Sequence, residues 1–272
     1  SDVDIEKNAD IEQKETTQKY FNLWYEEYKD FVNVNDLPDI KIEPFINTES
    51  ERCYVEHRAD GNVIYVNQLN IYILREKSTK SIAFHELHID DHYLLQQNNI
   101  VDKENHAFIY HEYHATIIEM IGALGFKNIT EIPEININTS KVYLGMEHKN
   151  LKQYLLDEKR NKIELFEHIL KEPLTITSWV EVARFIAYTL GRIEFLRTYC
   201  RDALEVFDIQ NYLQEKFGGT IIKLQSLLYL AKPCDMQAHQ IITNVMCEAV
   251  YPYIESDIIA ADVRNIQILP VS

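Results

Sequence analysis

The sequence predicts an α+β fold that is mainly helical: a small β-hairpin or sheet, two histidine-bearing helices, and a helical C-terminal half. Three observations predict this class. Residues 52–75 are rich in Val, Ile and Tyr around the turn signal at 59–62 ("ADGN"), which is typical of a hairpin. Apolar residues recur at three- and four-residue steps before and after this stretch. Beyond residue 150 that spacing continues almost without interruption, which favours helices packed on helices.

The first predicted element is a helix over 11–32, in which six aromatic residues form one stripe typical of a packing face. Pro38 and Pro44 then break the helix before the hairpin. The later elements are helices over about 79–97 and 106–125, a loop with one short strand over 128–144, and helices from about 150 to 261. Gly125 and the pair Gly218–Gly219 are expected to end helices.

These elements suggest three parts: residues 1–45 with the N-terminal helix, 46–150 with the hairpin and histidine helices, and 151–272 as a helical region.

The formal charge of −16 argues against a broad nucleic-acid surface. No apolar run reaches the roughly 20 residues of a membrane span. The polar, acidic first twenty residues lack a secretory signal, so we expect a cytoplasmic protein with reduced, buried cysteines. The sequence does not fix its oligomeric state.

The segment "AFHELHIDDHY" (83–93) carries three histidines on one stripe of its predicted helix, His85, His88 and His92. Imidazoles that share a helix face can bind one metal ion, and two pairs are available, His85 with His88 or His88 with His92. In the first pair Glu86 adjoins the leading histidine, where a general base is needed. In the second, Asp91 takes the place next to a ligand, as in an inverted motif. A solvated, histidine-rich surface helix is the alternative.

The second histidine helix contains "HEYHATIIE" and offers His111, Glu112, His114 and Glu119. Glu112, Ala115 and Glu119 lie along one stripe, so a carboxylate and a small residue face the same side. Closely crossing helices need a small residue at their contact. A glutamate from this helix is therefore expected to complete a site with two histidines and one carboxylate.

The segments "NVIYVNQLN", "IAFHELHIDD" and "YHEYHATIIEMIGALGF" resemble the zinc-metallopeptidase-like proteins of bacteria and their mobile elements, of the ImmA/IrrE-like gluzincin type with an HExxH motif. The resemblance covers about residues 62–126 and implies a minimal zincin-like core. It implies that His85 is the first zinc ligand, Glu86 the catalytic glutamate and Glu112 the third ligand. The family motif would place the second histidine at Ile89, whereas this chain has His88, one residue short.

We therefore expect a zinc-dependent peptidase that acts on a peptide or protein through metal-activated water, with Zn²⁺ held by His85, His88 and Glu112. Glu86 is the expected proton acceptor. The residues considered as alternative ligands, as oxyanion donors or as groups that orient the histidines are Asp90, Asp91, His92, Tyr110, His111, Tyr113, His114 and Glu119. The shortened motif also fits a catalytically degenerate binding or regulatory protein, whose helical C-terminal half would recognise a protein partner.

Overall fold

A computed structural model of the chain describes residues 2–32, 40–45, 53–58, 61–67, 84–85, 87, 95, 98–100, 106–130, 132–144 and 147–254. The helices of this part are α1 (Asp2–Val32), α2 (Phe108–Ala123), α3 (Leu151–Ile169), α4 (Ile176–Tyr199), α5 (Gln210–Phe217), α6 (Thr220–Leu230) and α7 (Met236–Val250). The strands are β1 (Ile40–Phe45), β2 (Cys53–Arg58), β3 (Gly61–Asn67), β4 (Lys141–Leu144) and β5 (Glu147–Asn150). The predicted α+β, mainly helical class is confirmed.

The larger sheet has three strands in the order β1-β3-β2. β2 and β3 form the predicted antiparallel hairpin, with Val55 opposite Ile64. β1 runs parallel to β3 and was missed in the sequence, where Pro38 and Pro44 suggested only a broken helix. Proline lacks the N–H that a central strand needs, but an edge strand pairs on one side only and tolerates it.

Side-chain caps and glycines define the helix ends in the C-terminal half. Asn150 accepts a hydrogen bond from the Lys152 amide at the start of α3, and Thr175 forms a capping box with Ser178 at the start of α4. Gly218 has a φ of +75° between α5 and α6, which confirms the predicted helix break.

Gly125 has a φ of +79° just beyond α2, and it confirms the predicted end of that helix. The predicted short strand in 128–144 is β4, which pairs with β5, a strand that was not predicted from the sequence.

The predicted helix over 79–97 lies largely outside the described residues, although Phe84, His85 and Leu95 have helical backbone. The end of the predicted helical region, beyond residue 254, also lies outside them.

The chain divides into two compact units. The first comprises residues 1–93, 118–133 and 141–149, and the second comprises 94–117, 134–140 and 150–272. The division falls within α2, between Ile117 and Ile118. The three-part organisation inferred from the sequence stays a prediction. Among the described helices, none combines the length and the apolar character needed to cross a bilayer.

The core of the first unit is built on one face of α1. Trp24, Tyr28 and Phe31 are buried there, as the aromatic stripe predicted. The ring of Phe84, fully buried, lies 5.4 Å from that of Tyr28 and 5.0 Å from that of Phe31. Aromatic contacts of this kind add to the hydrophobic stabilisation of a core, so they anchor the backbone at residue 84.

The core of the second unit is centred on α4, which is buried along most of its length. Gly191 allows α2 to approach α4 closely: a Cβ atom at this position would lie 2.5 Å from the Tyr113 carbonyl oxygen and 3.0 Å from the Thr116 Cβ. Ala115 is buried. Its predicted contact is with the first histidine helix, most of which lies outside the described residues, so that contact stays a prediction.

Candidate metal centre

His85 occupies a fixed and nearly buried position in the first unit. It follows the anchored Phe84 directly and is only 7 % exposed. Its Nδ1 atom lies 2.9 Å from Oε2 of Glu119, which belongs to the C-terminal part of α2. His85 is therefore not a solvated surface histidine, and the structure brings together two of the predicted site residues across 34 positions of sequence.

The contact with Glu119 affects two properties of the His85 imidazole, its tautomer and its ring orientation. A carboxylate accepts a hydrogen bond, so in the neutral imidazole this contact places the ring proton on Nδ1 and makes Nε2 the acceptor nitrogen. Histidines that bind metal ions commonly carry such a carboxylate on the second ring nitrogen, which fixes the tautomer and the ring orientation. The described geometry of His85 thus fits a zinc ligand, with Glu119 in the orienting role.

The other predicted residues of the first histidine helix, Glu86, His88, Asp90, Asp91 and His92, lie outside the described residues. The choice between the two histidine pairs therefore stays a prediction. Among the residues that are described, no three His, Cys, Asp or Glu side chains are close enough to one another to hold a metal ion.

Glu112, the predicted third ligand, belongs to the second unit and lies next to a cation there. Its Oε1 atom is 3.4 Å from Nε of Arg184 on α4, and both side chains are largely buried. The guanidinium group of Arg184 also lies over the ring of Phe108, 5.5 Å from the ring centroid. The carboxylate is thus held by an ion pair that local sequence patterns do not reveal, because 72 positions separate the two residues.

Three histidines surround Tyr110 in the second unit. The Tyr110 ring stacks on His239 at 4.9 Å and on His114 at 5.9 Å, while His111 meets His239 edge to face at 6.3 Å. His239 is fully buried, and Tyr110 and His111 are nearly so. His239 lies outside the two histidine segments identified in the sequence, and local spacing does not reveal its burial in a stack of rings.

Tyr113 is buried in the second unit. Burial, together with the carboxylate of Glu194, raises the pKa of Tyr113 well above its ordinary value. Its hydroxyl group is therefore protonated at neutral pH and can act as a donor. However, the phenol side chain is 4 % exposed, which leaves it little access to a substrate.

The second unit also contains a cavity of about 500 Å³ on α7, lined by Asn244, Cys247, Glu248 and Tyr251. Burial raises the pKa of Cys247 to about 12, so its thiol is protonated at neutral pH. The thiolate is the nucleophilic form of cysteine. Cys247 therefore lacks the activation that a cysteine hydrolase requires.

Comparisons of the chain with family models, with curated proteins and with solved structures found no match.

Proposed function

We propose that the protein is a zinc-dependent peptidase acting on a peptide or protein substrate in the cytoplasm. Its zinc ligands would be His85, His88 and Glu112, with Glu86 as the general base. The spacing of the motif and the resemblance to ImmA/IrrE-like peptidases suggest this assignment. The observation that supports it most is the hydrogen bond between Nδ1 of His85 and the carboxylate of Glu119.

Each of these residues would have a distinct role in hydrolysis. Zinc held by this set would supply Lewis acidity for the attack of water on a peptide carbonyl. The carboxylate of Glu86 would accept a proton from the attacking water and deliver it to the nitrogen of the leaving amine. Glu119 would keep Nε2 of His85 directed as an acceptor, and Arg184 would restrict the orientation of the Glu112 carboxylate.

The assignment can be tested first without a substrate. The purified chain should contain about one zinc ion by native mass spectrometry, and added zinc should raise its melting temperature. His85→Ala should abolish both effects, whereas Glu119→Gln should weaken zinc binding by roughly 10- to 100-fold, as expected for the loss of an orienting carboxylate. His168→Ala is the matched control, because His168 is exposed on α3. A zinc effect that survives His85→Ala would refute the assignment.

Hydrolysis can then be separated from zinc binding. Glu86→Gln should retain the metal and lose peptide cleavage, because an amide cannot accept the proton. The test would use a casein-derived peptide mixture, with the cleavage products identified by mass spectrometry. Cleavage that persists in Glu86→Gln would remove Glu86 from its proposed role.

The second candidate is a binding or regulatory protein that retains a peptidase-like scaffold without its chemistry. Two observations favour it: the histidine spacing is one residue short of HExxH, and the carboxylate of Glu112 already pairs with Arg184. Inserting one alanine after Leu87 would restore the family spacing. If zinc affinity rises on insertion, the natural chain is degenerate; if it falls from a measurable value, the natural spacing is the functional one.

A further inference from the structure

Helix α6 carries large apolar side chains both on the side that packs into the core and on the side that is exposed at the surface. Ile221, Leu224 and Leu228 are buried on its inner side. On the opposite side, Ile222, Tyr229 and Leu230 are 49, 64 and 72 % exposed. A solvated helix face normally carries polar side chains. On the outer side of α6, three of the five exposed residues are instead large and apolar.

The exposed residues of α6 form one continuous stripe. At 100° per residue, Ile222, Lys223, Ser226, Tyr229 and Leu230 fall within an arc of about 120°, and they extend about 12 Å along the axis. We call this stripe the α6 face. Its width is similar to the stripe of about 100° or more that an amphipathic helix buries against a neighbour.

The charge of the α6 face is opposite to that of the chain. The protein has 43 acidic and 27 basic residues, yet no Asp or Glu occurs between Lys216 and Cys234. Lys223 and Lys232 are exposed within this segment, while Lys216 pairs with Glu167 at 2.6 Å. Lys223 thus lies on the α6 face and Lys232 follows the helix in sequence, within a segment that has no acidic residue on an otherwise acidic protein. This local charge favours a partner of negative charge.

We propose that the α6 face docks an amphipathic helix of a partner protein, with an apolar stripe bordered by acidic residues. Tyr229 and Leu230 would be the anchors, because they are the most exposed large apolar side chains of the face and such side chains give most of the binding energy once they are desolvated. Lys223 and Lys232 would pair with the flanking carboxylates and set the orientation. The inference does not depend on zinc binding or on hydrolysis.

The test uses the full chain and a fluorescein-labelled helical peptide of about 18 residues, in which Leu recurs at positions i, i+3, i+4 and i+7, Glu occupies the positions that flank this stripe, and Ala and Gln fill the rest. Fluorescence anisotropy should show saturable binding that weakens as salt is raised. The double variant Tyr229→Gln/Leu230→Gln and the variant Lys223→Glu should each weaken it by about tenfold or more. Leu156→Gln is the matched control: Leu156 is 44 % exposed on α3, so the affinity should not change. Unchanged circular dichroism would show that the variants fold.

Several results would overturn the proposal. One is the absence of saturable binding at peptide concentrations of about 1 mM. Another is equal binding of a peptide in which Lys replaces every Glu, and a third is full affinity in the double variant. Binding to phosphatidylserine vesicles without binding to the peptide would instead identify a membrane surface. Self-association that the double variant abolishes, measured by sedimentation without peptide binding, would identify a second copy of the chain.

Discussion

The substitution Gly191→Ala tests whether the close packing of α2 against α4 stabilises the second unit. The added methyl group would lie 2.5 Å from the Tyr113 carbonyl oxygen, about 0.9 Å short of the 3.4 Å at which ordinary contacts begin. The obstructing atom belongs to the backbone, so no side-chain rotation relieves the clash. Overpacking of this kind costs about 1–3 kcal/mol, and alanine returns at most about 1 kcal/mol of helix propensity.

We expect Gly191→Ala to lower the free energy of unfolding by about 1–2 kcal/mol, which corresponds to a fall of roughly 2–8 °C in Tm for a unit of this size. Thermal unfolding followed by circular dichroism measures it. Gly219→Ala is the matched control, because no atom lies within 4 Å of its added Cβ and its φ is −64°. That variant should stay within about 0.5 kcal/mol of the natural chain. A Gly191→Ala protein as stable as the natural one would refute the reasoning.

Three further predictions follow from buried groups and caps. Phe84→Ala should destabilise the first unit by about 3–5 kcal/mol in urea denaturation, because a fully buried aromatic ring is removed; a loss below about 1 kcal/mol would contradict its anchoring role. Thr175→Ala should cost about 1 kcal/mol by removing the capping box of α4, whereas Thr175→Ser, which keeps the hydroxyl, should cost less. The pKa of Cys247 is raised to about 12 in the native state, so the unfolded chain loses this proton first, and stability should fall as pH rises from about 9 toward 12. Cys247→Ala should flatten this decline in denaturant titrations; an identical pH dependence in both proteins would refute the assignment.

The features that could be predicted from the sequence are those that depend on the spacing of residues close to one another along the chain. The aromatic stripe of α1, the β2–β3 hairpin and the helix ends at Gly125 and Gly218 all depend on neighbours within a few residues. Such patterns follow from the 3.6-residue and two-residue periods of helices and strands. The edge strand β1 was missed for a physical reason as well, since proline is penalised in a strand only where both edges must pair.

The contacts within the candidate site could not be predicted in the same way. His85 and Glu119 are 34 positions apart, and Tyr110 and His239 are 129 apart. A helical pattern shows which side chains share a face, but it does not show which other element covers that face. Glu112 and Glu119 lie on one stripe of α2, and their spacing left open which of them would join the histidines; the family resemblance implied Glu112. The structure pairs Glu119 with His85 and Glu112 with Arg184.

The pairing of His85 with Glu119 also limits how the histidine motif can be studied. A synthetic peptide that covers only residues 83–93 contains the imidazoles but lacks the carboxylate that selects one tautomer. Such a peptide would report the affinity of freely rotating rings, as would any proteolytic fragment that ends before residue 119. Under the proposed assignment, the difference between the zinc affinity of that fragment and that of the intact chain would measure how much the remote carboxylate and the surrounding fold preorganise His85.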